Sequence, residues 1–167
     1  MTPMTLAALN QMDQADFTQA LGDIFEHTPA IAQQTWPRRP FATVESLHQA
    51  MVAVMQALPT AAQVRLIQAH PDLGVKAKMT AASVQEQAGA GLDQLSPEEF
   101  TTFSELNQAY RDRFQFPFIV AVKEHTKTSI LAAFRQRLTH DAETERQTAL
   151  AEIAKIAGYR LATLVLD

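Results

Sequence analysis

The sequence contains no cysteine. This absence excludes disulfide bonds, cysteine-ligated zinc or iron–sulfur centres, and thiol catalysis. Basic residues are also few. With a formal net charge of -4 at pH 7, the chain has no basic field that would attract nucleic acid.

Long apolar runs and targeting signals are missing as well. No stretch approaches the roughly 18–20 apolar residues that span a bilayer. The N-terminal residues lack the basic start of a signal peptide, and the C-terminal residues form no peroxisomal tripeptide. We therefore predict a cytoplasmic protein with no nucleic-acid or membrane partner.

The overall composition is typical of a globular domain. The chain has 167 residues, of which 47% are hydrophobic and 19% charged, enough to build one hydrophobic core. No repeat, linker or low-complexity segment divides it. We predict a single domain over residues 1–167.

Helix signals recur along the whole chain. The clearest is Ser96-Pro97-Glu98-Glu99, where Ser96 can cap, Pro97 suits the first helical position and Glu99 completes a capping box. Predicted helices begin near Asp13, Pro29, Thr43 or Ser46, Ala61, Thr80, Ser96, Ser129 and Asp141.

One apolar segment is ambiguous. Residues 116–122 are rich in β-branched side chains, which favours a strand. A lone strand has no partner for its backbone hydrogen bonds, so we interpret the segment as a buried extended turn or a short helix. The prediction is an all-α fold of about seven to nine helices without a sheet, with Phe17, Phe25, Phe100 and Phe103 in the core.

The His70-Pro71-Asp72-Leu73-Gly74 segment carries the first candidate chemistry. Proline disfavours helical backbone at the residue before it, so the His70 ring leaves the helix end in a fixed direction. Histidine also has the unperturbed pKa best suited to proton transfer near neutral pH. From spacing alone, an ordinary helix-terminal histidine is the commoner interpretation.

Further along, Ser83, Glu86 and Gln87 share one face of a predicted helix, and Arg160 lies beside the apolar stripe of the last helix. The first group could hydrogen-bond a polar ligand, or it could be a solvated surface. Arg160 could grip a carboxylate, although an arginine that extends to water is commoner.

The sequence lacks several common metal-binding, nucleophile and phosphate-binding motifs. There is no HExxH, GxSxG or glycine-rich phosphate loop, and the five histidines are not paired at i and i+4. We predict no metal site, and we assign structural or surface roles to His27, His48, His125 and His140. The residues suit acid–base work on a small anionic molecule, and no single reaction follows from them.

Four motifs in order carry a resemblance to a known family. They are HPDLG at 70–74, SVQEQ at 83–87, FQFPFI at 114–119 and IAGYRL at 156–161. Together they resemble the decarboxylases of 2-oxo-4-hydroxy-4-carboxy-5-ureidoimidazoline (OHCU) from about residue 8 to about residue 163.

The resemblance implies an all-α enzyme that uses no cofactor and converts OHCU into (S)-allantoin with loss of CO2, during urate degradation. It implies that His70 is the catalytic histidine, Glu86 its partner carboxylate, and Arg160 a substrate-binding and catalytic arginine. The residues implied to line the substrate pocket are Pro71, Ser83, Gln87, Phe118, Ile119 and Val120.

Two other functions fit the same sequence. One is a decarboxylase or lyase for a related ureido or imidazoline compound, which would share fold and site. The other is a non-catalytic helical interaction module, which would expose an apolar stripe instead of polar groups around a pocket. Apolar helix faces are also compatible with a homodimer.

Overall fold

The computed structural model describes residues 3–74 and 81–167. Within these ranges the secondary structure is almost entirely helical, so the predicted all-α fold is confirmed. The predicted helix start at Thr80 lies outside the described residues. The α-helices are α1 (Leu6–Gln11), α2 (Gln14–Leu21), α3 (Ala30–Thr35), α4 (Val44–Ala57), α5 (Thr60–Gln68), α6 (Ala81–Gly89), α7 (Pro97–Phe114), α8 (Lys127–Arg137) and α9 (Ala142–Leu164).

Side-chain caps fix where several helices begin. At α7, Ser96 Oγ accepts from the Glu99 amide while the Glu99 carboxylate accepts from the Ser96 amide, with Pro97 at the first helical position. At α4, the alternatives Thr43 and Ser46 both take part, because Thr43 is the cap and Ser46 completes its capping box. These reciprocal bonds satisfy amides that a helix N-terminus otherwise leaves unpaired.

The terminal segments form the small departure from a fold without a sheet. Strand β1 (Met4–Thr5) pairs in parallel with strand β2 (Val165–Leu166), with Met4 opposite Val165. Two residues on each side cannot form a core of their own. The pairing joins the two ends of the described chain without altering the fold class.

The chain separates into two compact units. The first comprises the described residues up to Leu66 together with Ala154–Asp167, and the second is Ile67–Ile153. The boundaries fall inside α5 and α9. The predicted single domain over 1–167 stays a prediction.

An aromatic cluster forms the centre of the second unit. The ring of Phe134 stacks on Phe118 at 3.8 Å and meets Phe103 edge-on at 6.2 Å, while Tyr110 meets Phe118 edge-on at 5.4 Å. Such offset and edge-to-face pairs add stabilisation beyond the area they bury. The ambiguous segment lies here as buried, non-helical chain that leads into a short 3-10 helix, Val122–Glu124.

One of the predicted core positions was wrong. Phe100 was assigned to the core, yet its side chain is 48% exposed on the outer face of α7. Phe25, predicted in the core, is buried, and it lies in the connection that follows α2. Burial therefore followed apolarity at Phe25, whereas helical spacing alone misplaced Phe100.

Among the described residues, no single helix has the length and apolarity needed to cross a membrane. Helices α4 and α5 meet those criteria only as a pair, across a bend of 115°.

Candidate active site

The His-Pro turn follows directly from the end of α5. The His70 N–H donates to the Ile67 carbonyl at 3.2 Å, and this hydrogen bond holds His70 at the end of the helix. The His70 side chain is only 6% exposed. Gly74 closes the turn with φ +73°, a backbone conformation that glycine adopts without the strain of a Cβ. A Cβ there would also lie 2.6 Å from Leu95.

Side chains from two other helices hold this turn in place. From α7, the buried Asn107 donates through Nδ2 to the Leu73 carbonyl at 2.9 Å. From α6, Gln87 Oε1 accepts from the Gly74 amide at 3.0 Å. Arg111 forms an ion pair with Asp72 at 2.9 Å near the surface. The backbone after His70 is thus fixed by bonds to residues distant in sequence.

The three predicted site residues on helix α6 differ in how deeply they are buried. Ser83 and Gln87 are buried, 5% and 7% exposed, while Glu86 is partly exposed. The solvated-surface interpretation is therefore wrong for Ser83 and Gln87. The Gln87 amide group, predicted to contact substrate, also bonds the turn at Gly74. The pairing of Glu86 with His70 stays a prediction.

The segment 118–120, implied to line the pocket, is buried, and side chains bond the backbone of Ile119 and of the adjacent Ala121. Phe118, Ile119 and Val120 are each at most 4% exposed. The Ile119 carbonyl accepts a hydrogen bond from Arg137 Nη1, and the Ala121 amide donates to Glu152 Oε1 at 3.2 Å. An irregular segment can be buried in this way because its polar groups find partners.

Arg137 belongs to a buried ionic network. Its Nε donates to Glu145 Oε1, and the same oxygen accepts from the Tyr110 hydroxyl at 2.7 Å. His140 Nδ1 lies 3.1 Å from Glu145 Oε2. Burial raises the pKa of Tyr110 well above its usual value, so the phenol stays protonated and keeps donating to the carboxylate.

Arg160 lies in the first unit, on the C-terminal half of α9. Its Nη2 donates to Glu26 Oε2 at 3.0 Å, and its Nη1 donates to the carbonyls of Asp23 and Ile24 at 3.0 and 3.3 Å. The side chains of Arg160 and Glu26 are 5% and 0% exposed. The interpretation that Arg160 extends to water is therefore wrong.

Most of the predicted site residues belong to one of the two compact units. The second unit contains His70, Pro71, Ser83, Glu86, Gln87, Phe118, Ile119 and Val120, and the first contains Arg160. Sequence reasoning assigned no role to Glu26, Asn107, Arg137 or Glu145. The available signal was polarity within apolar surroundings: Glu26 directly follows the buried Ile24 and Phe25.

Within residues 3–74 and 81–167, no group of three or more His, Asp or Glu side chains is placed to hold a metal ion. The second unit instead provides a buried imidazole on a braced turn, a hydroxyl, amides, and a fixed stretch of backbone. This set suits proton transfer to and from a small polar molecule.

Comparison with known proteins gives consistent results. A family model described as OHCU decarboxylase matches residues 10–162. The 2-oxo-4-hydroxy-4-carboxy-5-ureidoimidazoline decarboxylase of Halalkalicoccus jeotgali is 44% identical over 166 residues, covering 99% of this chain and 94% of the relative. A crystal structure of (S)-allantoin synthase matches with TM-score 0.80 and 31% identity, covering 97% of this chain and 54% of that one.

A crystal structure of OHCU decarboxylase in the presence of (S)-allantoin matches with TM-score 0.71 over 92% of this chain and 98% of that one. Its sequence identity is 20%, so this likeness bears on the fold alone.

Proposed function

The chain belongs to the OHCU decarboxylase family, and from this premise we propose that it is a carboxy-lyase that converts OHCU into (S)-allantoin and CO2 in urate degradation. The observation that carries the proposal for the site is the burial of His70 on a turn braced by Asn107 and Gln87. A fixed, largely dehydrated imidazole is what stereospecific proton delivery needs.

The chemistry of the substrate sets the tasks. Breaking the bond between the quaternary ring carbon and its carboxylate releases CO2 and leaves an electron pair on that carbon. The substrate's own ring can delocalise this pair, so no organic electron sink is required. A proton must then reach one face of the ring to give a single enantiomer.

We assign the proton transfer to His70, which either accepts the proton of the 4-hydroxyl group or delivers the new proton. Glu86 is proposed to orient the imidazole and stabilise its protonated form. Arg160 is proposed to bind the anionic substrate, because a guanidinium can grip a carboxylate through two parallel hydrogen bonds.

The remaining groups are proposed to bind and orient the substrate. They are Pro71, Ser83, Gln87 and the backbone of Phe118, Ile119 and Val120. Fixed backbone N–H groups can stabilise charge that develops on ring or ureido oxygens without any reorganisation during the reaction.

The test generates OHCU in situ from urate with urate oxidase and hydroxyisourate hydrolase. The purified protein is then added, and the decay of the intermediate is followed together with the circular dichroism of the product. We expect accelerated decay to (S)-allantoin. Decay at the spontaneous rate to racemic allantoin, from folded protein, would contradict the proposal and favour a related ureido compound or a binding function.

His70→Gln then tests the assigned residue. General acid–base groups typically contribute about 10²- to 10⁴-fold in rate, so we expect a loss in that range with unchanged far-ultraviolet circular dichroism. The matched control is His125→Gln in the same unit, where the ring contacts Ser129 at 2.9 Å. Near-wild-type turnover by His70→Gln would rule out this role.

We also propose a cytoplasmic location and a homodimer, the latter because the amphipathic helices of the sequence carry apolar faces. Static light scattering of the purified protein at several concentrations measures the mass, and the mass of one chain at every concentration would refute the dimer.

A further inference from the structure

Arg137 fixes one peptide group in the buried segment 118–120. Its Nη1 donates to the carbonyl of Ile119, eighteen residues earlier in the chain. Peptide bonds other than Arg39–Pro40 are trans among the described residues, so the N–H of Val120 points to the side opposite the Ile119 carbonyl. Holding that carbonyl therefore also sets the direction of the Val120 N–H.

The guanidinium is itself held from two further directions. Glu145 Oε1 accepts from Nε, and the Phe118 ring lies under the guanidinium carbon with its centroid 4.4 Å away. Glu145 is in turn fixed by the Tyr110 hydroxyl at 2.7 Å. Arg137 thus has one orientation, imposed by α7, α8 and α9, and it transmits that orientation to Ile119.

Stability alone does not explain this arrangement. Arg137 is 6% exposed, yet its Nη2 has no hydrogen-bond partner among the described residues. A buried donor left without a partner is costly, and replacing a buried ion pair with apolar side chains of similar volume is often neutral or stabilising. What the buried arginine provides, despite that energetic cost, is a fixed position of the Ile119 carbonyl.

We propose that Arg137, oriented by Glu145, is a positioning residue that sets the Ile119–Val120 peptide for substrate binding. The inference rests on the proposed function, since the contact of this backbone with substrate belongs to that proposal. Arg137 acts through the peptide it holds and is not assigned any contact with substrate.

The test replaces the three buried members of the network together, so that neither charge of the Arg137–Glu145 pair is left buried alone. In the variant Arg137→Met/Glu145→Leu/Tyr110→Phe, the ion pair and the phenol are exchanged together for apolar groups. We expect folded protein with faster amide hydrogen exchange in peptides that cover residues 116–122. A misplacement of about 1 Å can cost about a hundredfold in rate, so kcat should fall by about that factor, more than KM rises, and the product should lose enantiomeric purity.

The matched control is Arg135→Met, which removes an exposed arginine two positions away on the same helix. It should keep wild-type exchange and kinetics. If the triple variant folds with wild-type exchange at 116–122, or with wild-type kcat and product purity, the proposal is overturned.

If the triple variant fails to fold, Arg137→Lys tests the positioning role of Arg137. An ammonium group is a compact charge without the planar fork of arginine, so it cannot hold Glu145 and the Ile119 carbonyl in the same geometry. We expect near-wild-type melting, faster exchange at 116–122 and a partial loss of kcat. Wild-type exchange or kcat in this variant would overturn the proposal.

The exchange measurement separates this inference from the proposed function. It needs no substrate, so it reports on positioning even if the wild-type protein fails to decarboxylate OHCU. Failure of wild-type turnover would remove the decarboxylase activity, whereas unchanged exchange in the variants would remove the positioning role of Arg137.

Discussion

Arg160 and Glu26 form a buried ion pair, in which Nη2 donates to Oε2 over 3.0 Å. The two residues are 134 positions apart in the sequence. Two backbone carbonyls, those of Asp23 and Ile24, accept from the same guanidinium. The arginine proposed to bind substrate is thereby fixed by the connection that follows α2.

Glu26→Gln is expected to destabilise the fold and reduce turnover. The amide keeps the shape of the side chain but leaves Arg160 without its buried counter-charge, and breaking such a pair costs up to about 3–5 kcal/mol. Urea unfolding measures the loss, and kcat/KM should fall because the guanidinium is no longer held. The control Asp23→Asn removes an equal charge from an exposed side chain while its carbonyl remains. Equal stability of the two variants would contradict the importance of the pair.

Glu86→Gln is expected to separate catalysis from folding. If Glu86 orients His70, kcat/KM should drop by about 10²- to 10⁴-fold, since the imidazole would lose its acid–base competence. The side chain is partly exposed, so the urea midpoint should change little. Glu105→Gln, on the exposed face of α7, is the control. A variant at position 86 with wild-type kinetics would exclude the assigned role.

The family and the helical fold were predictable from sequence because their signals are local. Capping at Ser96 and Thr43 depends on residues three positions apart, and the HPDLG and FQFPFI motifs are contiguous. The decarboxylase prediction is confirmed at the level of the family. The individual site roles stay predictions.

The supporting contacts were not predictable from sequence because they join distant positions. Nothing local to Asn107 reveals that it will donate to the Leu73 carbonyl, 34 residues away. The same holds for Arg137 and Ile119, and for Tyr110 and Glu145. Helical periodicity also placed Phe100 inside, although a long helix that packs one face leaves some apolar residues exposed.

Asn107→Ala tests whether the turn after His70 depends on its brace. The substitution leaves the buried Leu73 carbonyl without its donor, which should cost about 1–3 kcal/mol. We also expect kcat to fall, because the backbone that carries His70 loses a constraint. Gln108→Ala, which loses only an exposed bond to Asp112, should behave as wild type. Wild-type stability and kcat for Asn107→Ala would show that the brace is dispensable.

The Tyr110–Glu145 hydrogen bond predicts how stability changes at alkaline pH. Burial raises the pKa of Tyr110, whereas the same phenol in the unfolded chain ionises near pH 10, its ordinary value. Above about pH 10 the unfolded chain releases a proton that the folded chain retains. The free energy of unfolding must therefore decrease as the pH rises, by at most about 1.4 kcal/mol per pH unit from this group.

Urea unfolding across that pH range measures how steeply the free energy of unfolding falls with pH. Tyr110→Phe should make this fall less steep. Tyr159→Phe should leave the contribution of Tyr110 in place. The chain has two tyrosines, so in Tyr159→Phe the near-ultraviolet absorbance of tyrosinate reports Tyr110 alone. That absorbance should stay low until the protein unfolds. Full ionisation of the folded Tyr159→Phe protein near pH 10 would mean that the phenol is not held as a donor to Glu145, and the network around Arg137 would lose one of its fixed points.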